Sequence, residues 1–318
     1  MGQVEKRFQK HPSARRLSSP LVANPITFMQ AFFDLTNDAA SQHWRSTKLS
    51  HYTALEAVVI PVADMANLDE DEHGVLLARC KALNFALYET AIVADKPAIR
   101  AFGQRFGLEH LDMNLRADED SITSLQVVTS MTGTHYIPYT NRPLNWHTAG
   151  YYNPPGEQVR GIIMHCAATS ASGGDNLFLD PEMAYLLLRD ANPDYIAALM
   201  QADAMTIPAN IEAGVELRAA QSGPVFSFDA GGALHMRYTA RTRSIIWKDD
   251  DITQQAVGFL RELLQSDSPC IFRHRLRAGQ GIICNNILHK REAFNDDAVS
   301  GKQRLLYRAR YHERIHGT

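Results

Sequence analysis

The chain has 318 residues, 45% hydrophobic and 21% charged, with a formal net charge of −3 at pH 7. That is the make-up of an ordinary soluble protein, long for one domain yet within reach of one elaborated β fold. No basic surplus announces a nucleic-acid partner, and no apolar run reaches the ~18 residues a membrane span needs, so neither partner is expected.

Residues 1–20 carry Lys6, Arg7, Lys10, Arg15 and Arg16 with no apolar segment behind them. They read as a flexible arm rather than a secretory signal, with residues 21–318 as a single domain. Residues 25–44 set Ile26, Met29, Phe32, Phe33 and Leu35 near helical spacing. Residues 54–62 predict a strand interrupted by Pro61. Leu76, Leu77, Cys80, Leu83 and Leu87 predict a helix over residues 76–90, and Pro97 opens another over residues 96–106. Residues 159–166 form an apolar, strand-like run. Asp180-Pro181-Glu182 is a helix start, with Asp as N-cap, Pro in the first position and an acid in the first turn. Asn192-Pro193 repeats the device. Residues 249–264 are amphipathic, with Ile252, Val257, Leu260, Leu263 and Leu264 on the inward side. Strands are predicted over residues 225–228, 234–238, 270–276, 281–286 and 304–311, with glycine-bearing turns between them. Many short strands with helical insertions suggest an α+β fold, a jelly-roll core decorated with helices.

Cys80, Cys166, Cys270 and Cys284 form no Cys-x-x-Cys pair. They read as buried free thiols in a reducing cytoplasm, with no zinc site and no disulfide framework.

Chemistry concentrates in three stretches: Trp146-His147-Thr148-Ala149-Gly150, then Asn285-Asn286-Ile287-Leu288-His289, then Arg304-Leu305-Leu306-Tyr307-Arg308. A lone histidine at a strand end is usually structural. Two on separate strands, followed by an arginine pair, suit an iron site with an anchored dicarboxylate. Neutral imidazoles ligate Fe(II), and a guanidinium meets a carboxylate through two parallel hydrogen bonds.

Four segments carry a resemblance: Leu144-Asn145-Trp146-His147-Thr148-Ala149-Gly150, Gly173-Gly174-Asp175-Asn176, Asn286-Ile287-Leu288-His289-Lys290-Arg291-Glu292-Ala293-Phe294 and Gly301-Lys302-Gln303-Arg304-Leu305-Leu306-Tyr307-Arg308. In this order they resemble the TauD/TfdA branch of Fe(II)/2-oxoglutarate-dependent oxygenases, close to the clavaminate synthase and γ-butyrobetaine hydroxylase relatives, over residues 106–314. The resemblance implies a double-stranded β-helix in which His147 and His289 ligate the metal. Arg308, counted with them as catalytic, would bind the distal carboxylate of 2-oxoglutarate. Arg304 would lie nearer its other carboxylate, and Asn176 would add a contact where the family often has Thr.

The departure is Ala149, where the family's motif has Asp. Another carboxylate (Glu157 and Asp175 are nearest in sequence) or a water would fill the gap in a hydroxylase. Chloride would fill it in a halogenase, as in the relatives with His-X-Ala or His-X-Gly. Otherwise the chain is an inactive 2-oxoglutarate-binding variant, natural or engineered. Because both histidines and both arginines remain, C–H oxidation is expected, with hydroxylation favoured.

Tyr151, Tyr152 and Asn153 are expected to line the mouth. Arg237, Arg241 and Arg243 would meet an anionic substrate group or form a solvated strand and turn. His165, His235 and His274 read as core histidines. The expected partners are a small-molecule substrate and O2, with a homo-oligomer allowed.

Overall fold

The computed structural model describes residues 31–53, 59–92, 94–113, 118, 120–128, 137–241 and 245–318. The expected N-terminal arm and Arg243 lie outside them. Ten strands make the two main sheets: β1 Val59–Pro61, β2 Phe85–Glu89, β3 Thr123–Leu125, β4 Leu144–His147, β5 Gly161–Ala168, β6 Asn176–Leu179, β7 Phe272–His274, β8 Gln280–Cys284, β9 Leu288–Arg291 and β10 Leu305–Tyr311. The larger sheet runs β1-β2-β8-β5-β10-β3 and the smaller β7-β6-β9-β4. All neighbours are antiparallel except β1 and β2.

Alternation along the strands assigns their faces. On β5, Ile162, Met164 and Cys166 join the apolar layer that also holds Ile282, Cys284, Leu306, Phe178 and Ala149, while Ile163 turns to the opposite layer. Two sheets facing each other across one apolar layer give the expected jelly roll. The outer face of the larger sheet packs on helices α2 Glu70–Leu83 and α3 Lys96–Arg105 through Leu76, Cys80, Ile99 and Phe102, while Trp44, Leu49 and Tyr52 of helix α1 Asp38–Thr53 pack in the cluster of the smaller sheet's outer face. The smaller sheet's outer face, with Trp146, Leu179 and Leu288, packs on α4 Pro181–Ala191, α5 Pro193–Leu199 and α6 Asp251–Gln265.

Caps set the helix limits. Asp180, Asn192 and Asp250 each accept a hydrogen bond from a backbone N–H of the first turn, as Asp-Pro and Asn-Pro foretold for the first two. The helix expected over residues 76–90 is corrected: Asp69 and Glu72 form a capping box that starts it at Glu70. Asn84, left-handed at φ 62, ends it, and residues 85–89 become a central strand. The helix expected over residues 25–44 begins only at Asp38. Residues 25–30 lie outside the described set, and Phe33 instead anchors a turn against Trp44, Tyr185 and Phe228. All four cysteines are buried and free. Among the described residues no helix is long and apolar enough to cross a membrane.

Candidate active site

His147 closes β4 and stands directly opposite His289 of β9 in the antiparallel register. Residues so paired share a face, and the two rings lie 4.3 Å apart, centroid to centroid. Each Nδ1–H donates to the carbonyl two residues back on its own strand, at 2.8 Å: Asn145 O for His147 and Ile287 O for His289. That bond fixes the tautomer and leaves Nε2 with a free lone pair. Burial holds His147 well below the ordinary histidine range, helped by the neighbouring His289 and the charges of Arg308 and Arg241. Burial, with Arg308, pushes His289 down to about 4. Both rings are therefore neutral at pH 7, the state a metal requires.

Ala149 is buried in the layer between the sheets. Asn286, left-handed at φ 48, grips its backbone at two points. The Ala149 N–H donates to Asn286 Oδ1 at 2.8 Å, and Asn286 Nδ2 donates to Ala149 O at 3.0 Å and to Val159 O at 2.6 Å. The motif backbone is thus held regardless of the side chain at 149. Among the described residues no three His, Cys, Asp or Glu side chains gather to hold a metal. This corrects the expectation that Glu157 or Asp175 replaces the missing carboxylate. Glu157 is exposed in the short turn Pro155–Glu157, and Asp175 joins no such group. The two imidazoles fit a divalent iron, but as a pair, not a triad.

Arg308 and Arg310 stand on β10, and Arg304 just before its start. Leu306 pairs with Cys166, Arg308 with Met164 and Arg310 with Ile162, all facing the layer between the sheets. Arg304 shares a small pocket with Asn176, Ser170, Gly174, Cys166 and Arg275. Arg308 lies elsewhere: its charge acts on both histidines, and its buried Nε has no hydrogen-bond partner. Burial, with the like charge of Arg310, pushes the Arg308 guanidinium down to about 10. An orphaned buried donor is costly, and an arriving anion removes that cost. Arg310 differs in its ion pair: it pairs with buried Asp112 and donates to Tyr152 Oη at 3.1 Å, although its Nε too has no hydrogen-bond partner.

The expected substrate residues divide. Tyr151 sets its ring edge-on to His147 at 6.5 Å, and Arg241 donates to its hydroxyl at 3.4 Å. Both stand beside the histidine pair. Asn153 is committed inward, donating to Asp112 Oδ1 at 2.7 Å, and the Tyr152 hydroxyl is committed by accepting from Arg310. Arg237, read as either an anion contact or part of a solvated strand, is neither: it is a buried strut. Its guanidinium donates to the carbonyls of Tyr151, Met205, Gly223 and Gln221. His165, a core histidine as expected, meets the Tyr88 hydroxyl at 3.3 Å on the outer face, while His274, expected in the core, is half-buried and meets Gln280 at 3.0 Å. Sequence reasoning missed Asn286, Asp112 and Arg310. Only Asn286, three positions before His289, lay within a motif; nothing near Asp112 flags it.

Comparison with known proteins agrees. The family model of the taurine catabolism dioxygenase TauD, TfdA family matches residues 45–310. A uridine-5'-phosphate dioxygenase of an Amycolatopsis species is 30% identical over 176 residues, 53% of this chain and 60% of that protein. The match thus spans less than two-thirds of that relative. Among solved structures, PvcB of Pseudomonas aeruginosa covers 79% of this chain and 82% of its own, with 17% identity and a TM-score of 0.54. The non-heme iron oxygenase OrfP, solved with Fe, succinate and (3S)-hydroxy-L-Arg, covers 78% and 82%, with 14% identity and a TM-score of 0.58. At such identities the structures establish the fold. With both histidine motifs and the arginine strand inside the matched span, the chain belongs to the taurine catabolism dioxygenase TauD, TfdA family, whose members depend on iron and 2-oxoglutarate.

Proposed function

We propose that this chain oxidises a C–H bond of an anionic small molecule, hydroxylating it with Fe(II), 2-oxoglutarate and O2. The observation that carries this is the pair of neutral, Nε2-presenting imidazoles beside the Arg308 guanidinium, with which no carboxylate among the described residues forms an ion pair. His147 and His289 would hold the iron, which when bound supplies the O2 chemistry. The chain's own residues do the rest. We assign the distal carboxylate of 2-oxoglutarate to Arg304 and Asn176, which share a pocket away from the histidines. Arg308, expected for that task, instead stands by the histidine pair, where it faces the metal end of the cosubstrate or an anionic group of the substrate. Arg241, braced on Tyr151, is its neighbour across His147. The name of the Amycolatopsis relative supports a phosphate-bearing substrate of nucleotide type.

A second reading has its own support. Ala149 leaves a ligand position that no described carboxylate fills, and two cations bias that place toward an anion. A halide there would redirect hydroxylation to halogenation. The test is anaerobic titration with Fe(II) and 2-oxoglutarate, with and without chloride, watched for the visible band of the chelate, followed by succinate assay with uridine 5'-phosphate. A band indifferent to chloride, with substrate-dependent succinate, supports hydroxylation. A chloride-dependent band supports halogenation. No band at any iron concentration would falsify both.

A further inference from the structure

Phe294 is buried, and none of the chemistry above uses it. Two guanidiniums lie against its ring: Arg291 at 4.8 Å from the centroid and Arg304 at 5.2 Å. A cation over an aromatic face is attracted by the ring quadrupole, more strongly where water is excluded. The two arginines are held differently. Arg291 donates to the carbonyls of Thr140 and Arg142, so it is fixed from behind. No carboxylate among the described residues forms an ion pair with the Arg304 guanidinium, and its ring contact is the interaction that restrains it on the pocket side.

The placement of Phe294 explains the Gly173-Gly174 pair. Phe294–Asn295 pairs with Ser172–Gly173, and Gly174 N–H donates to Ala293 O at 2.9 Å. Both glycines are left-handed, at φ 69 and 82. A Cβ on Gly173 would meet Ala293 O at 2.4 Å, and one on Gly174 would meet Phe294 Cβ at 3.3 Å. Only glycine lets the phenylalanine strand come this close. The pair is therefore a seat for Phe294, next to Asn176 in sequence and in the pocket.

We propose that Phe294 is a positioning residue: its ring, seated on Gly173-Gly174 and backed by Arg291, presets the Arg304 guanidinium toward the pocket of Asn176. The proposal rests on the assignment of Arg304 to the distal carboxylate. A guanidinium fixed before binding loses less freedom when the carboxylate arrives, so affinity rises.

The experiment measures 2-oxoglutarate and succinate binding calorimetrically, on the full chain, metal-free and anaerobically loaded with Fe(II). Phe294→Leu keeps apolar bulk without a ring. A ring-fluorinated phenylalanine at 294 keeps the shape and weakens the quadrupole, so it remains informative if the leucine variant does not fold. The leucine variant is expected to bind both dicarboxylates about tenfold more weakly, the fluorinated one less severely so, and Phe294→Tyr within about twofold of the parent. Fe(II) affinity and kcat stay unchanged while KM for 2-oxoglutarate rises. Parent-like dicarboxylate binding in the leucine and fluorinated variants, with binding lost in Arg304→Ala, overturns the role of Phe294. Parent-like binding in Arg304→Ala overturns the assignment beneath it.

Discussion

The two ends of the cleft between the sheets differ in how they are held. At the histidine end, both rings are tied to carbonyls of their own strands and Ala149 is clamped by Asn286, so backbone geometry does the fixing. At the arginine end, Arg304 stands just before β10 in the pocket of Asn176, and no carboxylate among the described residues forms an ion pair with it; Arg308, beside the histidines, likewise has none, while Arg310 pairs with Asp112. One end is organised by hydrogen bonds, the other by uncancelled charge. An alanine rather than a carboxylate at 149 acts in the same direction as the arginines, because it leaves the cleft more attractive to anions.

The comparison breaks first at the histidines. His289→Ala removes one of the two proposed ligands, and Fe(II)-dependent succinate formation should fall to background, with no chelate band on anaerobic titration. Next comes Asp112→Ala, which strands buried Arg310 and should cost about 3–5 kcal/mol of stability in denaturant unfolding. Third is pH. The His289 pKa is lowered from 6.5 to about 4, so below pH 6.5 the unfolded chain takes up more protons than the folded one. Stability of the metal-free protein is fully present above about 6.5 and should decline by about 3 kcal/mol as pH falls to about 4. His289→Asn should flatten part of that slope. The smallest effect sharpens the comparison instead of breaking it. Ala149→Asp should tighten Fe(II) by about 10–100-fold and abolish any chloride dependence of the chelate band.

How far the sequence reached follows from the range of each signal. Helix starts at Asp180 and Asn192 were legible because caps act over three residues. The end of α2 was not, since Leu87 keeps a helical spacing that Asn84 overrides. His147 and His289 were legible as motif members, and the sheet register makes them neighbours. Arg304 and Arg308 were legible as a pair but not in their division of labour. The proposed division depends on place rather than spacing: Arg308 pairs with Met164 inside its own sheet and acts on the histidines, whereas Arg304 opens on the Asn176 pocket. Arg237 and Arg310 carry the same side chain as Arg308 and look alike in sequence. Carbonyls and a carboxylate distant in the chain cancel them.

The grip of Asn286 on residue 149 has a consequence for how this site changes over generations. The clamp touches only main-chain atoms, so it does not read which side chain position 149 carries. Aspartate and alanine codons differ by a single base. A ligand can therefore be dropped or restored in one mutational step without refolding the loop that presents it. With iron on the histidine pair as proposed, one substitution at 149 would change its chemistry while the scaffold stays put.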